Sequence, residues 1–293
     1  MNKDSILRIL LIIIVILLMI NILLLSAWGV ITIVLGNSDS APSHPAGRPS
    51  ETQKETDDLP VSGNPDSSAL LGESADMGQG YIDSMIFLGD STTYHLKSRG
   101  VLSDGKDTKQ VWSGSDVDES GKVIPAGTLT LDGRITSAHI YYPRTGESLT
   151  VAQALEKEKP EYLVITLGVN GISYVNLDDS KSVNNFISCY KALVNAARKA
   201  SPDTKIILQS IFPVTEAYSQ NGNGITNEKI DAANTWILQL AKDTGCKYLD
   251  SASVLKNGSG ALSAVYDNGD GYHLTADAYR AVLQYIRTHG YTD

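Results

Sequence analysis

Ser91 stands where an apolar run ends, in SMIFLGDSTTYHL, so that a hydrophobic segment leads into Gly-Asp-Ser. A hydroxyl at that place can cap the following helix or act as a nucleophile, and capping is the commoner use of such a serine. A nucleophilic serine needs a base. Of the five histidines, His44, His95, His139, His273 and His289, only His273 has a carboxylate at a useful offset. In DNGDGYHLTADAY, Asp270 lies three residues before it, in a Gly-containing loop ahead of the last helical pattern. That spacing lets the carboxylate turn back onto Nδ1, fixing the tautomer and leaving Nε2 to take a serine proton. His95 falls one turn into the helix after Ser91 and reads as a packing or surface residue. His139 reads as strand and His289 as a cation at a helix end.

Two further places bear on a developing negative charge. In ITLGVNGISY an apolar strand ends at Gly168-Val169-Asn170-Gly171. Asn170 can be a turn residue with left-handed φ, or it can aim its amide N–H at an oxyanion. Gly146, in YYPRTGESLT, lets a backbone N–H come close to a ligand and serves a plain turn equally well.

These residues need a scaffold that gathers strand ends. Short apolar runs at Met85–Leu88, Tyr162–Leu167, Lys205–Leu208 and Cys246–Leu249 lack in-out alternation and read as strands buried on both faces. Between them Val183, Phe186, Tyr190, Leu193 and Ala197 share a helical face, as do Ile230, Ala233, Ile237, Leu240 and Ala241, and Tyr279, Val282, Leu283 and Ile286. Thr150 with Gln153 forms a capping box, Thr226 and Thr275 are N-caps, and Gly245 suits a helix C-terminus. The βαβα order predicts a central parallel sheet covered by helices. Ser91 and Asn170 would then stand at carboxyl ends of strands, where ligands bind in such sheets. Residues 100–136 break the rhythm with alternating patterns and Gly-rich turns. Asp132-Gly133 in TLTLDGRIT suits a two-residue hairpin turn, so an inserted hairpin is expected there.

Taken together, these blocks resemble the SGNH/GDSL hydrolase superfamily. Gly89-Asp90-Ser91 is similar to its first block, Gly146 to its second, Gly168-Val169-Asn170 to its third and Asp270-Gly271-Tyr272-His273 to its DxxH block. The resemblance implies a three-layer α/β/α fold with Ser91 as nucleophile, His273 as base and Asp270 as orienting acid. It also implies an oxyanion hole from the Ser91 and Gly146 N–H groups and the Asn170 side chain. Gly171 stands where the family's third block usually carries a second polar residue. Asp90 is assigned only the stabilisation of its turn.

Ahead of the domain, the uncharged stretch Ile9–Leu35 is long enough to cross a bilayer as a single helix, and too long for a signal peptide's apolar region. Lys3 and Arg8 precede it, which puts the N-terminus in the cytoplasm and the rest outside the cell membrane. The boundaries expected are an anchor over 1–36, a disordered Ser/Pro/Asp-rich linker over 37–80 and a hydrolase domain over 81–293. The net charge of −9 argues against nucleic acid as a partner. No Cys/His cluster has metal-ligand spacing, and neither a metal nor another cofactor is expected. Cys189 and Cys246 read as two buried thiols or as a disulfide.

The expectation is a membrane-anchored, extracytoplasmic ester hydrolase acting on an acylated small molecule or carbohydrate, such as an O-acetyl group of cell-envelope polymer. Aromatic residues Trp112, Tyr141, Tyr142 and Tyr174 offer sugar-stacking surfaces or ordinary packing. An O-acyltransferase using the same triad, or a non-catalytic envelope-binding domain, would share these motifs.

Overall fold

The computed structural model describes residues 69–292, so the expected membrane span and residues 37–68 of the expected linker lie outside the described residues. Among the described residues no helix is long and apolar enough to cross a membrane.

The chain runs through α1 (Gly78–Asp83), β1 (Met85–Gly89), α2 (Ser91–Ser98), β2 (Val111–Trp112), β3 (Gly114–Val117), β4 (Val123–Ala126), β5 (His139–Tyr142) and β6 (Glu147–Thr150). It continues through α3 (Val151–Glu158), β7 (Tyr162–Thr166), α4 (Val169–Ile172), α5 (Ser180–Ala200), β8 (Lys205–Gln209), α6 (Glu216–Ser219), α7 (Asn227–Thr244), β9 (Lys247–Leu249) and α8 (Ala276–Arg287). Strands β2-β1-β7-β8-β9, in that order, form a parallel sheet. The expected apolar runs are its four longer strands, and all five residues of β1 and of β7 are buried.

Alternate residues of these strands serve opposite faces. Ile86, Leu88, Leu163, Ile165, Ile206 and Leu208 join a core with residues of α3, α5 and α7. Met85, Phe87, Tyr162, Val164 and Ile207 join another with α1, α2 and α8. Helices on both faces bury both sides of every central strand, which is why the runs show no alternation. The helix ends follow their sequence signals. Thr150 and Gln153 make a reciprocal capping box, Thr226 and Thr275 cap α7 and α8, and Gly245 takes a left-handed C-cap at φ 63°. Each N-cap is worth about 1 kcal/mol.

Two local expectations are corrected. Residues 69–80, expected within the disordered linker, pack onto the domain. The Leu71 N–H donates to the Tyr248 carbonyl at 2.9 Å, and the Tyr248 N–H to the Ala69 carbonyl at 2.7 Å. Asp76 pairs with Arg287 at 2.6 Å. The small apolar group Ala69-Leu70-Leu71 thus covers the free edge of β9, a need that no local composition reveals.

Within 100–136 the hairpin is β3–β4, and it joins β5 and β6, beyond those bounds, in a second, antiparallel sheet of order β4-β3-β5-β6. Its β3–β4 turn lies at Asp118–Lys122, where the Asp118 side chain gathers the Ser120 and Lys122 N–H groups. Asp132-Gly133 makes no hairpin, because Asp132 folds its carboxylate onto the Arg134 N–H at 2.8 Å and starts a compact turn instead. β2 and β3 are separated only by Ser113, so the strand that edges the parallel sheet passes directly into the antiparallel one.

Of the aromatics open to stacking or packing, Trp112 and Tyr142 are buried, packed edge to face at 5.9 Å, and belong to the core. Cys189 and Cys246 are both buried and free, which answers the alternatives in favour of two thiols.

Candidate active site

In a parallel sheet the loops leaving adjacent strands diverge where strand order reverses, and the crevice between them receives ligands. Here the chain goes from β1 outward to β2, then returns to β7 on the other side. The loops after β1 and β7 carry Ser91 and Asn170.

Ser91 is the first residue of α2, capped by Asp90, whose buried carboxylate accepts from the Thr92 N–H at 3.0 Å and the Thr92 hydroxyl at 2.8 Å. Burial pushes the Asp90 carboxyl up to about 7, against the two Thr92 hydrogen bonds. The turn role expected of Asp90 is therefore borne by a group close to neutrality. From α8 the buried Tyr279 hydroxyl donates to the Thr92 carbonyl at 2.6 Å, tying the first turn of α2 to its neighbour.

The loop before α8 folds on itself, with the Asn268 N–H donating to the His273 carbonyl at 2.9 Å. Within it one Asp270 oxygen accepts from the Tyr272 and His273 N–H groups at 2.9 and 2.7 Å. The other meets His273 Nδ1 at 2.7 Å. Burial raises the Asp270 carboxyl, but these hydrogen bonds outweigh it and hold the group below the usual carboxylate range. An acceptor-only carboxylate on Nδ1 keeps the proton there. His273 Nε2 then faces Ser91 Oγ at 3.1 Å, across 182 residues of sequence. The geometry is that of a hydroxyl, a base and an orienting acid in hydrogen-bonded series, which can deprotonate the serine as it attacks a carbonyl.

His95 packs against the base, its ring 4.6 Å from that of His273. Packing was expected of it, but not against this partner. Burial, followed by the nearby His273 and Arg99 charges, lowers it to about 4, so it stays neutral in ordinary conditions. His139 lies in β5 as expected, and His289 stacks on Tyr285 at the end of α8.

Asn170 lies in α4, the turn directly after β7. Its amide N–H donates to the Leu129 carbonyl at 3.2 Å, and its oxygen accepts from the Tyr272 hydroxyl at 3.2 Å. The amide has a second N–H, which these contacts leave uncommitted.

Gly146 is not brought to Ser91. It sits in the β5–β6 turn at φ 74°, with its N–H donated to the Tyr142 carbonyl at 2.9 Å. The glycine beside Ser91 is Gly127, just past β4, where a Cβ would lie 2.8 Å from Ser91 Cβ and 2.9 Å from its Cα. Both glycines follow strands of the antiparallel sheet, and nothing in the local sequence separates a turn glycine from one forced by close approach. Tyr272 also escaped attention, although it lies within the DxxH block.

No metal-binding cluster of His, Cys, Asp or Glu occurs among the described residues. An open cavity of about 660 Å³ adjoins Gly127 and Asn170, walled by Thr130, Arg134, Ser173 and Tyr174, with Tyr174 84% exposed.

The GDSL-like Lipase/Acylhydrolase family model matches residues 87–281. No curated protein matches the chain. Among solved structures the chain is similar to a candidate platelet activating factor from Streptococcus pneumonia, at 20% identity over 69% of this chain and 81% of that one, TM-score 0.45. A candidate acylhydrolase from Bacteroides fragilis matches at 18% identity over 68% and 82%, TM-score 0.43. A carbohydrate esterase family 3 protein from Talaromyces cellulolyticus matches at 19% over 69% and 92%, TM-score 0.41. With a family match that runs from β1 into α8, the chain belongs to the GDSL-like lipase/acylhydrolase family and is a carboxylic ester hydrolase.

Proposed function

We propose that this enzyme is a membrane-anchored, extracytoplasmic serine esterase that removes O-acyl groups, acetyl above all, from cell-envelope or extracellular carbohydrate. The observation that carries the catalytic part is the continuous series Asp270–His273–Ser91, at 2.7 and 3.1 Å.

In this mechanism Ser91 Oγ attacks the ester carbonyl while His273 Nε2 takes its proton, and Asp270 stabilises the resulting imidazolium. Negative charge gathers on the carbonyl oxygen. Its donors are the Ser91 N–H at the start of α2, the Gly127 N–H in place of the expected Gly146, and the free amide N–H of Asn170. As the ester C–O bond breaks, His273 gives the proton to the departing sugar oxygen, which leaves as the hydroxyl. Water, deprotonated by the same histidine, then attacks the acyl-serine; His273 returns the proton to Ser91 Oγ as the acyl–Oγ bond breaks, releasing the carboxylic acid and the free serine.

The carbohydrate part of the reading is supported by the cavity beside Asn170. Its wall of threonine, serine, asparagine and an Asp132–Arg134 pair suits hydroxyl-rich ligands, and the exposed Tyr174 ring offers a stacking face. Anchoring rests on the uncharged Ile9–Leu35 stretch.

The test is direct. The full chain should be labelled at Ser91 by a fluorophosphonate and should release acetate from acetylated oligosaccharide faster than from an aliphatic ester of similar size. Absence of labelling with no turnover of any ester would sink the catalytic reading. External protease on intact cells should free the hydrolase domain by cutting before residue 69. Protection until lysis would reverse the orientation.

A further inference from the structure

An amide donor helps a transition state only if it is held with N–H, not oxygen, towards the charge, because the wrong face would repel it. An Asn side chain can turn over, and its two faces have similar shapes. Asn170 cannot obtain its support from the next residue. A Cβ at Gly171 would lie 2.6 Å from the Leu131 carbonyl, so position 171 has room for no side chain. Support comes instead from two distant segments. The Leu129 carbonyl can only accept, which fixes the amide nitrogen on its side, while the Tyr272 hydroxyl donates to the amide oxygen.

Tyr272 is itself held firmly. Its ring lies between Tyr218, stacked at 5.4 Å, and His273, edge to face at 4.3 Å. Burial raises its hydroxyl well above the ordinary tyrosine range, so it remains a donor throughout neutral pH.

From this geometry we infer that Tyr272 is a positioning residue for the oxyanion site: with the Leu129 carbonyl, its hydroxyl locks the Asn170 amide in the orientation that presents N–H to the reacting carbonyl. The inference rests on the acyl-transfer reading above. It makes the residue preceding the base part of the machinery on the opposite side of the reacting group.

Tyr272→Phe keeps the stacked ring and removes only the hydroxyl. In the full chain, with p-nitrophenyl acetate, kcat should fall about tenfold, the scale of one lost hydrogen bond, with KM nearly unchanged. Fluorophosphonate labelling of Ser91 should persist. Because both residues act on one donor, Tyr272→Phe should cost nothing more in an Asn170→Ala background, to within about twofold. A wild-type kcat in a folded Tyr272→Phe chain overturns the inference. So do losses that multiply in the double variant, or a loss confined to KM and melting temperature. A wild-type chain that neither hydrolyses the ester nor labels overturns the acyl-transfer reading, and the inference with it.

Discussion

Ser91 and Asn170 leave β1 and β7, strands paired residue by residue from Met85↔Tyr162 to Gly89↔Thr166 and buried throughout. Gly127, Leu129 and Leu131, which face them, come from a segment that belongs to no strand. The first region places side chains, and the second contributes peptide groups and the absence of a Cβ. Side-chain chemistry is written in residue type, whereas a carbonyl or N–H is present at every position and reveals its use only through the fold.

The contrast can be broken or sharpened by substitution. The largest effect belongs to the first region: Ser91→Ala should lower kcat by at least about 10³-fold, because triad members act as a unit. Steady-state kinetics of the folded variant check this, and retention of most activity would remove Ser91 from the mechanism. Asn170→Ala should cost about 10² to 10³-fold in kcat, with a smaller change in KM, since the full charge exists only near the transition state. Asn170→Gly, which removes the amide without adding bulk to α4, should be equally slow; near-normal turnover would return Asn170 to a structural role.

For the second region, Gly127→Ala should drive a methyl into Ser91 and reduce kcat by about 10²-fold, the scale of a small misplacement of a reacting group. The control is Gly146→Ala. There the left-handed turn should lose about 1 kcal/mol of stability, read as a lower melting temperature, while kcat stays put. If the two glycines exchange these outcomes, the oxyanion assignment to Gly127 is wrong.

The smallest effect is one of pH. Burial raises the Asp90 carboxyl from 3.8 to about 7, so the folded state binds more protons than the unfolded state between those values. Its contribution to stability is full below pH 3.8 and is lost as pH rises through 7. Asp90→Asn keeps an acceptor for Thr92 and removes the titration. Its melting temperature relative to wild type should therefore climb between pH 5 and pH 8. A constant difference would show that Asp90 stays ionised in the folded state.

How far the sequence could be read follows the same division. The four longer strands, the helix faces and the caps at Thr150, Thr226, Thr275 and Gly245 were legible because burial on two faces and capping are local constraints. Asp270 and His273 were legible for a similar reason, since three residues of separation suffice to bring them together. Three features depended on distant neighbours. Gly127 is selected by Ser91, Gly171 by the Leu131 carbonyl, and the packing of Ala69–Leu71 by the edge of β9. Asp132-Gly133 carried a good hairpin signal, yet its carboxylate found a nearer N–H.

The segment after β4 has a consequence for how the enzyme tolerates change in chain length. Thr128 and Thr130 are exposed or half-exposed, whereas Leu129 and Leu131 are 3% and 4% exposed, so the run is held in phase by alternate burial. An apolar replacement of either leucine leaves the peptide groups that serve Asn170 and Gly171 where they are. Deleting one residue shifts the phase by one, sending a threonine into the core and the Leu129 carbonyl away from the amide. Homologues should therefore vary in the identity of residues 128–131 far more readily than in their number.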